Sequence, residues 1–284
     1  MRPLTTVLLA VALAATAACA RALHEPPPLT AIGPATRPAA GSGAASSASA
    51  RAPLPADVDG LLGAGASAFA RRPVAGAVSG SLDLYLRAAR ADETRVEGLL
   101  GAAGASAWLI EHEADASRRD RLATEAVEIC QWCVRRAPER IECAYRLALA
   151  IGQQARERSS TALDGLKRMT PLLEQVIARA PTLDAAGGHR VMALVLLRAP
   201  GWPTGPGDPD AALEHARKAD ALVPDEARNL LALAEALAAT DQPEEARKTY
   251  TRAETIARTA AAAGHPDAPE WADTAAHALR SLKK

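Results

Sequence analysis

The chain has 284 residues, in which 33 Lys and Arg balance 33 Asp and Glu. That neutrality argues against a nucleic-acid partner, which calls for a net basic surface to displace counterions from phosphates. Hydrophobic residues at 49% allow a core and aromatic residues at 3% cannot dominate it; abundant alanine and few strand-forming residues exclude an all-β fold and point to helices packed through small side chains.

Arg2 is followed by an apolar run from Leu4 to Ala18. The run is too short to span a bilayer, which needs ~20 apolar residues. Its layout is that of a secretory signal over residues 1–18. Thr16-Ala17-Ala18-Cys19 resembles a lipobox, in which the Cys19 thiol takes a diacylglyceryl group and becomes the mature N-terminus. Leu is the usual residue at the place of Thr16, and cleavage after the Ala-x-Ala sequence Ala18-Cys19-Ala20 is the competing reading. Ala20 behind the cysteine, by resemblance to bacterial lipoproteins, implies the outer membrane. Residues 19–56 contain Pro26-Pro27-Pro28 and a Gly/Ala/Ser run from Gly41 to Ser47. Such a stretch buries too little apolar surface to offset the entropy of ordering it, so it reads as a disordered tether.

Residues 57–284 read as a helical-repeat domain. Two hairpins are expected over 57–92 and 94–120. Beyond them a pattern recurs at i, i+4, i+7, one face of a helix: Ala126, Cys130, Cys133, then Ala212, Ala216, Ala219, then Ala246, Tyr250, Ala253. Pro138 and Pro224 close two of these units, and a weaker unit with Met169, Leu173 and Val176 ends at Pro181. The partner helices align through Leu147-Ala148-Ile151, Met192-Ala193-Leu196 and Leu233-Ala234-Leu237. Asp241 with Glu244 predicts a capping box at the start of the last second helix. A closing helix is expected from about Asp267 to Leu282. The period and the small residues at the crossings are those of tetratricopeptide repeats. The predicted fold is therefore an all-α, tetratricopeptide-like helical hairpin solenoid of about five hairpins plus a closing helix. Spacings between aligned positions exceed the standard period, which predicts insertions between the two helices of a hairpin, on one side of the stack.

Cys130-Gln131-Trp132-Cys133 admits three readings: core packing, a disulfide, or metal and redox chemistry. Its place late in a helix, at positions held by Ala216/Ala219 elsewhere, suits small buried residues. If a disulfide forms, Cys133 with Cys143 across the Pro138 turn is the attractive pair, in an export compartment that permits it. His112 lies between Glu111 and Glu113, which do not face it on a helix, so a solvated face is expected rather than a metal site. No acid, base or nucleophile constellation is visible and no cofactor is expected, so the chain is not read as an enzyme.

One insertion stands apart: Ala199-Pro200-Gly201-Trp202-Pro203-Thr204-Gly205-Pro206-Gly207-Asp208-Pro209. Its prolines and glycines predict a shaped loop. Asp208 followed by Pro209 is a helix start. Trp202 either plugs a gap between hairpins or lines a ligand or partner surface.

This loop, with His189-Arg190-Val191-Met192-Ala193 before it and Ala212-Leu213-Glu214-His215 after it, resembles the T-component family of TRAP transporters. These are periplasmic lipoproteins built from tetratricopeptide-like hairpins. Arg140 to Ala148 and Thr161 to Leu166 are also similar to the family's earlier repeats, so the resemblance spans roughly 57–255. Two departures are Pro171, expected to kink its helix or start a new one capped by Thr170, and Met192-Ala193, where the family tends to Leu-Gly. The resemblance implies a periplasmic solute-binding protein as partner, a small organic ligand, self-association, and Trp202, Pro203, Asp208 and Arg190 as ligand- or partner-binding residues. A scaffold lipoprotein of envelope assembly is the alternative.

Overall fold

The computed structural model describes residues 25–32 and 57–282; the signal sequence, Cys19 and most of the expected tether lie outside them. The helices are α1 Val58–Phe69, α2 Ala75–Ala91, α3 Glu97–His112, α4 Ala116–Arg136, α5 Ile141–Glu157, α6 Ala162–Arg179, α7 Leu183–Arg198, α8 Pro209–Leu222, α9 Ala227–Ala239, α10 Pro243–Ala262 and α11 Ala268–Ser281. Among the described residues they pair as five antiparallel hairpins, with α11 closing the stack. The fold is an all-α helical-hairpin solenoid. No helix among the described residues is long and apolar enough to cross a membrane.

Local chemistry sets the helix starts. Asp57, Asp115 and Asp208 accept hydrogen bonds from the backbone N–H of Gly60, Arg118 and Ala211 at 2.7, 2.8 and 3.0 Å. Each satisfies a donor that the first turn leaves free. The capping box expected at Asp241 does not form. Asp241 has φ of 58°, and the Gln242 N–H donates to the Leu237 carbonyl at 2.9 Å. That is the left-handed closure of α9, so Asp241 ends one helix instead of starting the next. Pro243 then opens α10.

Alanine fills the crossings. Ala126, Cys130, Cys133, Ala212, Ala216, Ala219, Ala246 and Ala253 are all buried, so the repeated face is the packed face. The backbones also come close where α3 meets α2: a Cβ on Gly98 would lie 2.7 Å from the Tyr85 carbonyl oxygen.

The first helices of successive hairpins, α1, α3, α5, α7, α9 and α11, touch in series and form one layer. That series is thinnest between α5 and α7. Each hairpin has two edges. One carries the turn between its own helices; the other carries the turn to the next hairpin. The ends of the solenoid also meet. Arg72 in the α1–α2 turn donates from Nε and Nη2 to both carboxylate oxygens of Asp267, just before α11, at 2.8 and 2.9 Å. His112 lies 3.5 Å from Glu270 at the start of α11.

Four expectations are corrected. Residues 94–120 are not a hairpin: they hold α3 and only the beginning of α4. The extra length of the α5–α6 unit goes into long helices joined by a 3₁₀ turn at Ser159–Thr161, not into a loop. Pro171 lies inside a continuous α6, and the Thr170 hydroxyl donates back to the Leu166 carbonyl at 3.0 Å instead of capping a new helix. The tether is not free throughout: residues 25–32 pack on the domain, with Leu29 and Ile32 buried in its main core.

Candidate functional site

The gap between α5 and α7 holds a cavity of about 420 Å³. Small residues on the facing helices make room for it: Gly152 and Ala155 on α5, Ala162 on α6. Its walls are apolar, formed by Leu149, Leu166, Met169, Val191, Leu194 and Val195. The size suits a small molecule. Its polar lining comes from α3, α5 and α7. Arg156 makes two hydrogen bonds to Glu111, at 3.1 and 2.9 Å, and Arg198 makes two to Glu235, at 3.1 and 2.9 Å. Burial raises the Glu111 pKa, but hydrogen bonds from Arg156 and Gln153 outweigh it, and the net shift is downward. Glu111 is therefore a carboxylate near neutral pH.

Gln153 is the unusual member. Its amide nitrogen donates to the Ala107 carbonyl at 3.2 Å and to Glu111 at 3.0 Å. Both acceptors fix the amide orientation, and the Oε1 atom is buried with no hydrogen-bond partner in the protein. A buried acceptor left without a donor costs about 1–3 kcal/mol.

Ala199 and Pro200 complete the cavity wall and begin the 199–208 loop. The loop is shaped by its own backbone. Gly207 N–H donates to the Pro200 carbonyl at 2.8 Å, Thr204 N–H to Gly201 at 3.0 Å, and Asp208 N–H to Leu196 at 3.0 Å. Gly207 is required here, because an added Cβ would lie 2.9 Å from the Pro200 carbonyl carbon and closer still to the Ala199 oxygen. Pro203, Thr204, Gly205 and Pro206 line a second hollow, of about 460 Å³, against Leu163, Lys167 and Pro171 of α6.

Trp202 is 89% exposed, so it does not plug a gap between hairpins, and it lines neither hollow. A large aromatic side chain held in water on a braced loop is available to a partner. Asp208 caps α8 and has no place in the cavity wall.

Arg190 is corrected as a ligand contact. It is 6% exposed, and its guanidinium is consumed by Asp184, the Ala185 carbonyl and Asn229, the last at 2.9 Å. Asp184, Ala185 and Ala186 have φ of 50°, 52° and 61°, a left-handed turn that ordinary side chains resist. The network holds it. Asp184 accepts from Tyr145, Arg190 and Arg228 at 2.6, 2.7 and 3.1 Å, tying α5, α7 and α9 together. Burial works against the Asp184 carboxylate, yet Arg190 and Arg228 keep its pKa below the usual value. This hub was not anticipated from sequence; it depends on residues from three hairpins.

Cys133 and Cys143 form a disulfide across the α4–α5 turn, with Cα atoms 5.3 Å apart. Cys130 stays a free, buried thiol, its pKa pushed up to about 12 chiefly by burial, and it is inert as a nucleophile near neutral pH. Among the described residues no group of three or more His, Cys, Asp or Glu side chains could hold a metal ion. His112 stacks on Trp108 with ring centroids 3.7 Å apart.

No family model matches the chain, and no curated protein matches it. Among solved structures it is similar to TTC0263, a tetratricopeptide-repeat protein of Thermus thermophilus. The identity is 21%, the TM-score 0.57, and the match covers 76% of this chain and 98% of that one. It is also similar to a MamA RS-1 ArsTM double mutant, at 19% identity and a TM-score of 0.47, over 73% of this chain and 98% of that one. The first likeness shows the fold: a tetratricopeptide-like helical repeat.

Proposed function

We propose that this chain is an exported, lipid-anchored helical-repeat protein that binds a partner protein through the Trp202 loop and a small ligand in the adjoining cavity. The observation that carries this reading is the position of the loop. One braced segment supplies a cavity wall at Ala199–Pro200 and, two residues on, an almost fully exposed tryptophan. A partner seated on Trp202 would sense whether the cavity is filled.

The ligand expected there has a largely apolar body, to match the walls of Leu149, Leu166, Met169, Val191, Leu194 and Val195. Arg156 and Arg198 are already neutralised by Glu111 and Glu235, so a strongly anionic ligand gains little. The sequence resemblance suggests a TRAP-type uptake system with a periplasmic solute-binding protein as partner, the anchor being a lipid on Cys19 at the outer membrane. A scaffold of envelope assembly is the alternative, since repeat solenoids present extended binding surfaces.

The test is affinity purification of the tagged protein, extracted with detergent from its native envelope, followed by mass spectrometry. Recovery of a solute-binding protein, lost in Trp202→Ala, supports the uptake reading. Recovery of envelope-assembly proteins alone favours the scaffold. The cavity is tested separately: native mass spectrometry of the purified protein should show a bound small molecule, which a charge placed in the apolar wall by Leu194→Asp weakens about tenfold or more.

A further inference from the structure

Residues 25–32 run across the C-terminal turns of α2 and α4. Pro26, Leu29 and Ile32 are buried, every third residue, while Glu25, Pro28, Thr30 and Ala31 are exposed. The main chain is held as well as the side chains. Trp132 Nε1–H donates to the Pro27 carbonyl at 2.8 Å, and Arg90 donates to the Leu29 and Ile32 carbonyls at 3.1 and 2.5 Å. Arg135 lies 3.3 Å from Glu25. The guanidinium groups of Arg135 and Arg136 cover the Trp132 ring at 5.6 and 5.9 Å. The groove thus reads both side chains and carbonyls of one segment, which turns at Leu29–Ala31, where the Ala31 N–H donates to the Pro28 carbonyl at 2.7 Å.

We infer that residues 25–32 are a clamp that sets how the solenoid stands on the membrane. This rests on the reading of Cys19 as the lipid anchor. Without the clamp, the anchor joins the domain at residue 57, and the whole length of residues 20–56 sets its reach. With it, attachment is at residue 25, and residues 20–24 can separate anchor from domain by no more than about 20 Å. The spacer no longer sets the distance.

The clamp also selects an edge. Arg90 and Trp132 are near the C-terminal ends of the second helices α2 and α4, on the edge where one hairpin passes to the next. The cavity residues Glu111, Arg156 and Arg198, and the loop that follows Arg198, are at the C-terminal ends of first helices, on the opposite edge. The α4 helix between the edges has 21 residues, a length of about 30 Å. The clamped edge faces the lipid surface, and the cavity mouth and Trp202 are left open to soluble partners.

The test uses the full chain with a site-specific protease recognition sequence inserted after Ser46. In membrane fractions, cutting should leave residues 57–284 on the membrane, because the clamp still holds them. Leu29→Asp combined with Ile32→Asp should leave the uncut protein membrane-bound and the helical circular dichroism unchanged. After cutting, the same variant should release the domain, with retention weakened about 10–100-fold. Release of the cut wild-type domain would overturn the clamp. Uncut protein in the soluble fraction would overturn the anchor and with it the membrane placement; co-elution of the two fragments after cutting would then show whether the clamp itself holds. Orientation is read with a fluorophore on a cysteine at Glu93→Cys or Thr204→Cys, using a quencher in the lipid headgroups. Stronger quenching at 93 than at 204 is expected, and the reverse overturns the assigned edge.

Discussion

At the scale of single residues, Trp202 and Arg190, both expected to bind a ligand or partner, stand in opposite environments. Trp202 is exposed and touches nothing that holds the fold, so Trp202→Ala should change unfolding stability by less than about 0.5 kcal/mol while abolishing partner recovery. Arg190 is buried at the centre of a charged network. Arg190→Met should cost about 2–4 kcal/mol in urea denaturation, because the fully buried Asn229 loses its donor and Asp184 keeps only Tyr145 and Arg228. His189 gives a pH dependence. Its Nδ1 lies 2.9 Å from Nδ1 of His215, and its pKa falls to about 4 through burial first, then the charges of His215 and Lys218. The unfolded chain binds a proton near pH 6.5 that the folded chain refuses. Stability should therefore be fully present above about pH 6.5 and decline towards pH 4, by no more than about 2–3 kcal/mol from this group. His189→Asn should flatten that decline in thermal unfolding measured across the range.

Helices and their joints carry the next set of consequences. The disulfide closes a separation of 10 residues between α4 and α5. Reduction should lower stability by about 2–3 kcal/mol through the entropy restored to the unfolded chain. Cys130 should stay unreactive to a thiol probe until the domain unfolds, whereas a disulfide involving it would change the labelling count. The 199–208 loop is an element in its own right: its hydrogen bonds close on themselves, and its ends are α7 and the Asp208 cap of α8. Periodicity found these helices because alanine recurs on their packed faces. It misplaced a joint where a residue of helix-start type ends a helix instead, as Asp241 does in closing α9. It also took Pro171 for a break, when α6 packed along α5 carries the missing hydrogen bond within a continuous helix.

For the molecule as a whole, two contacts join parts far apart in sequence. Arg72 and Asp267 are 195 residues apart and link the first hairpin to the closing helix. The pair is partly solvent-exposed, so its stability contribution should be about 1 kcal/mol or less. Its effect on shape should be clearer: Arg72→Asp should raise the radius of gyration in small-angle scattering, and Arg72→Asp with Asp267→Arg should restore it. If the single charge reversal leaves the scattering unchanged, the ends are held by packing alone. The second contact is the seat of residues 25–32 on α2 and α4.

The helical class, the approximate number of hairpins and the packed faces were legible in the sequence, because alanine content and spacing are local properties of a chain that repeats itself. The peculiarity of the 199–208 loop was legible too, since prolines and glycines restrict a backbone wherever they stand. The direction in which Trp202 points, the burial of Arg190, the left-handed turn at Asp184 and the seating of a Pro-rich segment on α2 and α4 were decided by tertiary structure. Each depends on partners from other hairpins, such as Tyr145, Arg228, Arg90 and Trp132. A linear pattern names the residues that want burial or a charge partner, and the three-dimensional stack determines which of them find one.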